Sequence, residues 1–290
     1  MGKMISVIVC THNREDLIDD CIQSLLNQKT VFDYELIVVD NNSTDGTKKI
    51  IKKYERQSPL VTYSFEEELG ISKARNTGCE KAKYDWVAYV DDDAKAHSDF
   101  VEVACHTITN YKFDCFGGVY NAWFKYGEEP SWFPPDAGSN RYRMPGKVTV
   151  LNDQCFSAGA CVFNKQMLTD IGGFPTQMGP KGDIMEYGEE NYVQIKARKL
   201  GYVVGFNPAL QIDHVVREEK LKKSWHYSRA YLLGVSKAKL QVEPKAMILI
   251  DGILEIFKYP VRSLFNRSFF TSNQNIMFYK GYLDQVFKKR

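Results

Sequence analysis

Hydrophobic positions along the chain fall into two alternating patterns. Residues 4–10 (MISVIVC) are apolar without interruption, which predicts a strand buried on both faces. Residues 16–28 place Leu17, Ile18, Cys21, Ile22, Leu25 and Leu26 on one stripe, the spacing of an amphipathic helix. Residues 35–40 (ELIVVD) repeat the strand pattern. After the turn-forming Asn41-Asn42-Ser43-Thr44-Asp45-Gly46, residues 48–57 read as a second helix and 61–65 as a third strand. A loop and helix over 70–82, a strand over 84–90, a helix over 98–110 and a strand over 115–124 continue the alternation. Strand and helix in turn imply parallel βαβ units, hence an α/β fold with a Rossmann-like, mostly parallel central sheet flanked by helices.

Beyond residue 124 the pattern loosens. Residues 125–146 are rich in Pro and Gly, contain Trp132-Phe133-Pro134-Pro135, and predict an irregular loop. A short apolar segment at 157–163, a short helix at 165–171, a turn at Gly172-Gly173-Phe174-Pro175, a helix over 189–200 stopped by Gly201 and a strand over 202–206 follow. No repeat or low-complexity tract interrupts residues 1–210, so one α/β domain accounts for them.

The polar residues collect where the strands stop. Thr11 and Asn13 follow the first strand, Asp40 and Asn42 the second, and Asp91-Asp92-Asp93 the run Trp86-Val87-Ala88-Tyr89-Val90. In a parallel sheet the carboxyl ends of the strands share one edge, where open α/β sheets bind ligands. Three adjacent carboxylates repel unless something positive sits among them, and a hard divalent cation with a substrate phosphate is a natural partner. A solvated acidic turn is the bland alternative. Likewise Asp40 and Asn41 could serve as caps, and Thr11 could satisfy a local backbone group. There is no Gly-x-Gly-x-x-Gly after the first strand and no P-loop, so a nucleotide would need a metal-bridged diphosphate in place of a glycine cradle.

Composition sets the frame. A length of 290 residues, 44% hydrophobic and 13% aromatic, supports a full core. The seven cysteines include no CxxC pair, and the start of the sequence reads straight into a strand, with no secretory leader expected; they read as reduced packing thiols of a cytoplasmic protein. The net charge of +2 conceals an asymmetry. Residues 1–213 hold 23 Lys+Arg against 30 Asp+Glu, while residues 214–290 hold 15 against 6. A basic last quarter suits contact with phosphates, nucleic acid or a membrane leaflet.

Several segments, in order, resemble the family 2 glycosyltransferases: Ser6-Val7-Ile8-Val9-Cys10-Thr11-His12-Asn13-Arg14, Val38-Val39-Asp40-Asn41-Asn42-Ser43-Thr44-Asp45-Gly46-Thr47, Gly70-Ile71-Ser72-Lys73-Ala74-Arg75-Asn76-Thr77-Gly78, the Asp91–Asp93 triplet, and Gly172-Gly173-Phe174 followed by Gly188-Glu189-Glu190. The resemblance spans residues 4–235. It implies the GT-A fold, a nucleotide-sugar donor (a UDP-sugar is favoured), Mn2+ or Mg2+, and inversion at the anomeric carbon. It further implies a catalytic domain over 1–235, with nucleotide-sugar binding in 1–125 and the acceptor side in 126–235, and a basic amphipathic extension over 236–290. Thr11, Asn13, Asp40, Asn42, Gly70, Arg75, Asp91 and Asp92 would line the nucleotide-sugar site. Asp93, Asp91 and His214 would hold the metal. The family's acidic pair is Glu-Asp, with its second member the base; here Glu190 takes that place and Glu189 stays a candidate. Without the resemblance both are equally first-turn acids favoured by the helix dipole.

The last quarter mixes Lys222, Lys223, His226, Arg229, Lys237 and Lys239 with Trp225, Tyr227 and Tyr231. Residues 246–257, with Asp251 and Glu255, are too short and too charged to span a bilayer, but Met247, Ile250, Leu254, Phe257, Val261 and Leu264 recur at helical spacing along a segment interrupted at Pro260. It reads either as an interfacial segment at the inner face of the plasma membrane or as a helix packed on the catalytic domain or on a second copy in a homodimer. The expected partners are a nucleotide-sugar donor and a glycan or polyprenyl-linked acceptor of surface or capsular polysaccharide. Nucleic acid is not among them, because the first 213 residues are acidic. The competing function is a catalytically silent nucleotide-sugar or partner-binding protein on the same fold.

Overall fold

The computed structural model describes residues 5–133, 138–179, 188–240 and 266–287. Its contacts divide the chain into two compact units: Met1–Trp123 with Pro134–Asp183 and Glu189–Val215, and Phe124–Phe133 with Ile184–Gly188 and Val216–Arg290. The units part at Val215–Val216, and residue 235, the boundary expected from the resemblance, falls within a helix of the second.

The first unit is built on one nine-stranded sheet. Strands β1 (Ile5–Thr11), β2 (Tyr34–Asp40), β3 (Val61–Phe65) and β4 (Trp86–Val90) lie in the order β3-β2-β1-β4, all parallel. The order reverses between β1 and β4, which opens a crevice at their carboxyl ends. The sheet then turns mixed: β8 (Ala160–Asn164) joins β4 antiparallel, followed by β6 (Cys115–Trp123), β9 (Val204–Val215) and β5 (Ala94–Ala96), with β7 (Thr149–Val150) beside β9.

Alternation along β1 and β2 explains the layers. Ile5, Val7, Val9, Leu36 and Val38 point into one core with α1 (Ile18–Leu26), α2 (Thr47–Gln57) and α4 (Phe100–Asn110). Ile8, Cys10, Ile37 and Val39 point into the other with α3 (Ile71–Lys81), α5 (Lys165–Asp170) and α6 (Glu189–Lys199). Each fully buried Ile, Leu or Val contributes about 1.5–3 kcal/mol, so uninterrupted apolar runs are what a sheet covered on both faces requires. All seven cysteines are free and five are buried; burial pushes the Cys10 thiol up to about 12, which fits a packing role.

Three strand features differ from the sequence expectation. β5 and β7, of three and two residues, are too short to carry a period. β9 does not stop at Phe206 but continues to Val215. Asn207-Pro208 reads as a terminator because Pro cannot donate to a ladder. Here the pairing with β6 shifts register between Gly117 and Val119, and the ladder resumes at Gln211. Pro208 thus sits in an irregular stretch that the strand crosses.

β5 follows β4 after only three residues, yet lies four strands away in the sheet order. In a flat sheet that separation would be about 19 Å, whereas four residue steps reach at most about 14 Å. The sheet therefore curls, and Asp91-Asp92-Asp93 bridge the gap between its middle and its returning edge.

In the second unit, α7 (Lys223–Leu240) packs against α8 (Asn266–Phe287). A Cβ at Gly234 would lie 1.9 Å from the Phe278 carbonyl oxygen and one at Gly281 2.0 Å from that of Tyr231, so the helices meet backbone to backbone where neither has a side chain. The Tyr231 hydroxyl donates to Asp284 at 2.9 Å. Buried His226 donates from Nε2 to the Lys220 carbonyl at 2.7 Å, with Trp132, Phe133 and Trp225 edge-on around its ring. The expected C-terminal helices are thus present, whereas the amphipathic stretch over 246–264 lies outside the described residues. Among the described residues no helix is long and apolar enough to cross a membrane.

Candidate active site

β1 and β2 run in register, Thr11 opposite Asp40, and the loops after them are knitted together. Asn13 and Asn42 adopt φ of 51° and 58°, a left-handed conformation that Asn tolerates better than most residues. Asn13 Oδ1 accepts from the Thr44 N–H at 2.8 Å, and its own N–H donates to Ser43 Oγ at 3.0 Å. Asn42 donates to the Glu67 carbonyl at 3.3 Å. Asp40 is fully enclosed and accepts from the Ser43 N–H at 3.0 Å and the Tyr63 hydroxyl at 3.1 Å. Asn41 was not singled out from the sequence as a site residue, yet it ties the edge together: its amide donates to the carbonyls of Glu66 and Glu68 and accepts from the Gly70 N–H at 2.8 Å. Gly70 opens α3 at φ 146°, a conformation reserved for glycine.

Each acid of the triplet has a basic neighbour. Asp91 lies 4.0 Å from Arg75 Nη2 and 3.6 Å from His214 Nε2; Asp92 lies 3.5 Å from Arg14 Nε; Asp93 lies 3.1 Å from His214 Nε2. His214 comes from the stretch of β9 beyond Pro208, paired with Ala94 of β5. Its Nδ1 lies 3.0 Å from the Val215 carbonyl oxygen, which can only accept. Nδ1 therefore carries the proton, and Nε2 faces the carboxylates with its lone pair whenever the ring is neutral. The ligand atoms of Asp91, Asp93 and His214 all lie within 4.8 Å of one another. Two carboxylate oxygens and an oriented imidazole form a donor set that suits a divalent cation. Asp92, expected at the nucleoside, stands apart from this group beside Arg14.

Among the described residues Thr11 Oγ1 and Arg14 Nε are buried without a hydrogen-bond partner. Unsatisfied buried polar atoms are rare and call for a reason; Thr11 ends β1 and Arg14 lies in the loop that follows it. Arg14 also went unassigned at the sequence level, although a single cation just past a strand end that faces three acids was the available signal.

Arg75 was expected near the base or the diphosphate. Its guanidinium is buried and bonds Glu189 at 2.7 Å, with Phe174 stacked 5.3 Å from it. Burial opposes its charge, but Glu189 and Asp91 outweigh that and hold it protonated beyond its ordinary range. Glu189 and Glu190 open α6. Glu189 is occupied by Arg75. Glu190 is pushed up to about 8, first by burial and then by the charge of Glu189, with Arg75 acting in the opposite sense. A carboxylate held near neutrality in this way is suited to accept a proton.

Residues 6–172 match the family model described as glycosyl transferase family 2. The glycosyltransferase GlyA of Streptococcus pneumoniae is 32% identical over 231 residues, which cover 76% of this chain but 32% of that protein; the chain thus spans about a third of that relative's length. A glucosyl-dolichyl phosphate glucuronosyltransferase of Haloferax volcanii is 26% identical over 242 residues, 80% of this chain and 76% of that one. Among solved structures, the mannosyltransferase PcManGT from Pyrobaculum calidifontis, in complex with GDP-Man and Mn2+, superposes with a TM-score of 0.68 at 18% identity, covering 99% of this chain and 88% of the other; it shares the GT-A fold. With more than half of its length matched, the chain belongs to glycosyl transferase family 2.

Proposed function

We propose that the protein transfers a sugar, with inversion, from a nucleoside diphosphate donor to a hydroxyl of a glycan or lipid-linked acceptor, in a divalent-cation-dependent reaction of surface polysaccharide assembly. The observation that carries this reading is the cluster of Asp91, Asp93 and His214 within 4.8 Å at the sheet edge, with Thr11 Oγ1 buried without a hydrogen-bond partner at the end of β1. A cation bound by those three residues would neutralise the charge developing on the departing diphosphate. Thr11 and Asp40, at the ends of β1 and β2, with Asn13, Asn42 and Gly70 beyond them, would frame the nucleoside, with Thr11 Oγ1 the group in search of a partner. Glu190 takes the acceptor's proton as the hydroxyl attacks the face opposite the leaving group. The Haloferax relative's name includes a dolichyl phosphate acceptor, and the basic balance of residues 214–290 suits the anionic surface at which a lipid-linked acceptor would be met.

A thermal-shift panel of UDP, GDP and their sugars, with and without Mn2+ or Mg2+, tests the reading. Stabilisation by one nucleotide only when the cation is present is the expected result, with a uridine nucleotide favoured. No stabilisation by any pair would overturn it. Donor binding with no turnover on any acceptor would favour the silent binding protein instead.

A further inference from the structure

Between the strand-end acids and the acidic pair lies one helix, α3, and its polar residues face both. Its amino end is fastened to the nucleotide side through Gly70 and Asn41. Two residues on, Ser72 donates to the Met178 carbonyl at 3.0 Å. Asn76 both donates to the Phe174 carbonyl and accepts from the Phe174 N–H, each at 2.9 Å. Arg75 lies between these anchors. It is 5% exposed and reaches Glu189 at 2.7 Å on one side and Asp91 at 4.0 Å on the other. The Tyr89 hydroxyl holds its backbone carbonyl at 3.0 Å. Gly179 closes over the pair: a Cβ there would stand 3.2 Å from the Glu189 carboxylate. The segment Ser72–Asn76 thus grips the 174–178 turn and the start of α6, the side from which Glu190 acts.

We infer that Arg75 and Glu189 form a positioning strut that fixes the first turn of α6, and with it Glu190, against the strand-end acids. Glu189 is then the carboxylate spent on holding geometry and Glu190 the one left for the acceptor hydroxyl. This inference rests on the glycosyl-transfer reading above and adds a division of labour within the acidic pair. Two predictions separate a positioning role from general support of the fold. Loss of the strut acts on turnover, because an error of about an ångström in a reacting group costs on the order of 100-fold. Removing either end has the same consequence as removing both, since the two residues act as one unit.

The experiment compares Glu189→Gln, Arg75→Lys and their double variant with Glu190→Gln, measuring kcat, donor and acceptor KM, and nucleoside diphosphate binding with Mn2+ by calorimetry. Glu189→Gln is expected to lower kcat by about 10- to 100-fold while nucleotide affinity stays within about threefold. The double variant should fall no more than about threefold below the weaker single variant. Glu189→Asp, which keeps the charge but shortens the strut, serves if the neutral variant does not fold, and it too should lose turnover ahead of affinity. A wild-type kcat in Glu189→Gln or Glu189→Asp, or losses in the double variant equal to the product of the singles, would overturn the strut. Failure of the wild-type protein to bind any nucleoside diphosphate with Mn2+ would sink the functional reading and the strut's role in it together, a result distinct from intact binding with unaffected turnover.

Discussion

Asp93 and His214 meet at 3.1 Å although 121 positions part them in the chain, and the metal reading stands or falls with them. Asp93→Ala removes one of the three proposed ligands and should abolish transfer, with Mn2+ affinity in calorimetry falling by more than the about 10- to 100-fold expected of a residue that only supports a ligand. His214→Ala should weaken the metal while leaving the fold intact. Glu190 makes a separate prediction. A base works only when deprotonated, and a pKa raised by burial delays deprotonation to higher pH. The acid limb of kcat/KM should accordingly rise towards about 8, well above the about 4.3 of an unperturbed Glu; a limb near that ordinary value would mean that Glu190 does not carry the proton. At this scale the sequence was informative about acids and silent about their partners. Asp40 and the triplet could be found because a strand end announces itself by a change from apolar to polar. Arg14 and Arg75 could not be paired, because the side chain each one meets belongs to a distant segment.

At the scale of elements, apolar periodicity located the long strands and helices well, since a sheet covered on both faces leaves no polar positions to blur the pattern. It failed where length or chemistry worked against it. β5 and β7 have too few residues to show a period, and Asn207-Pro208 hid the second half of β9. That half carries His214, so the expected ligand stood on a strand that the pattern had already ended. The α7–α8 pair shows the reverse case, in which two isolated glycines mean more than the helical stripe around them. Gly234→Ala or Gly281→Ala would set a methyl about 2 Å from a facing carbonyl oxygen. The helices must move apart, at a cost of about 1–3 kcal/mol for such overpacking. Chemical denaturation should show that loss, while Ala at the exposed Ser228 should leave the midpoint unchanged.

For the molecule as a whole, ligand binding and stability are linked. At a hundredfold excess over its dissociation constant, a nucleotide bound to the native state adds about 2.7 kcal/mol. The melting temperature should therefore rise with nucleotide and Mn2+ together and return to its starting value with EDTA. The charge balance belongs to this scale as well. The excess of 15 basic over 6 acidic side chains in residues 214–290 is plain from counting, yet counting cannot say what faces it. Binding of the protein to anionic vesicles that weakens steeply between low and physiological salt would connect it to a lipid surface.

The curl of the sheet also bears on how the chain is made. β5 is synthesised directly after β4 but has no partner strand until β9 appears, more than a hundred residues later. Asp91 and Asp93 must therefore wait, already translated, for His214 to arrive. Pairings between segments so far apart in sequence form slowly, so a nascent chain shorter than 214 residues cannot bring Asp91, Asp93 and His214 together. If the proposed cation is held by those three residues, a ribosome-stalled series should gain Mn2+-dependent protection from proteolysis only once β9 has emerged.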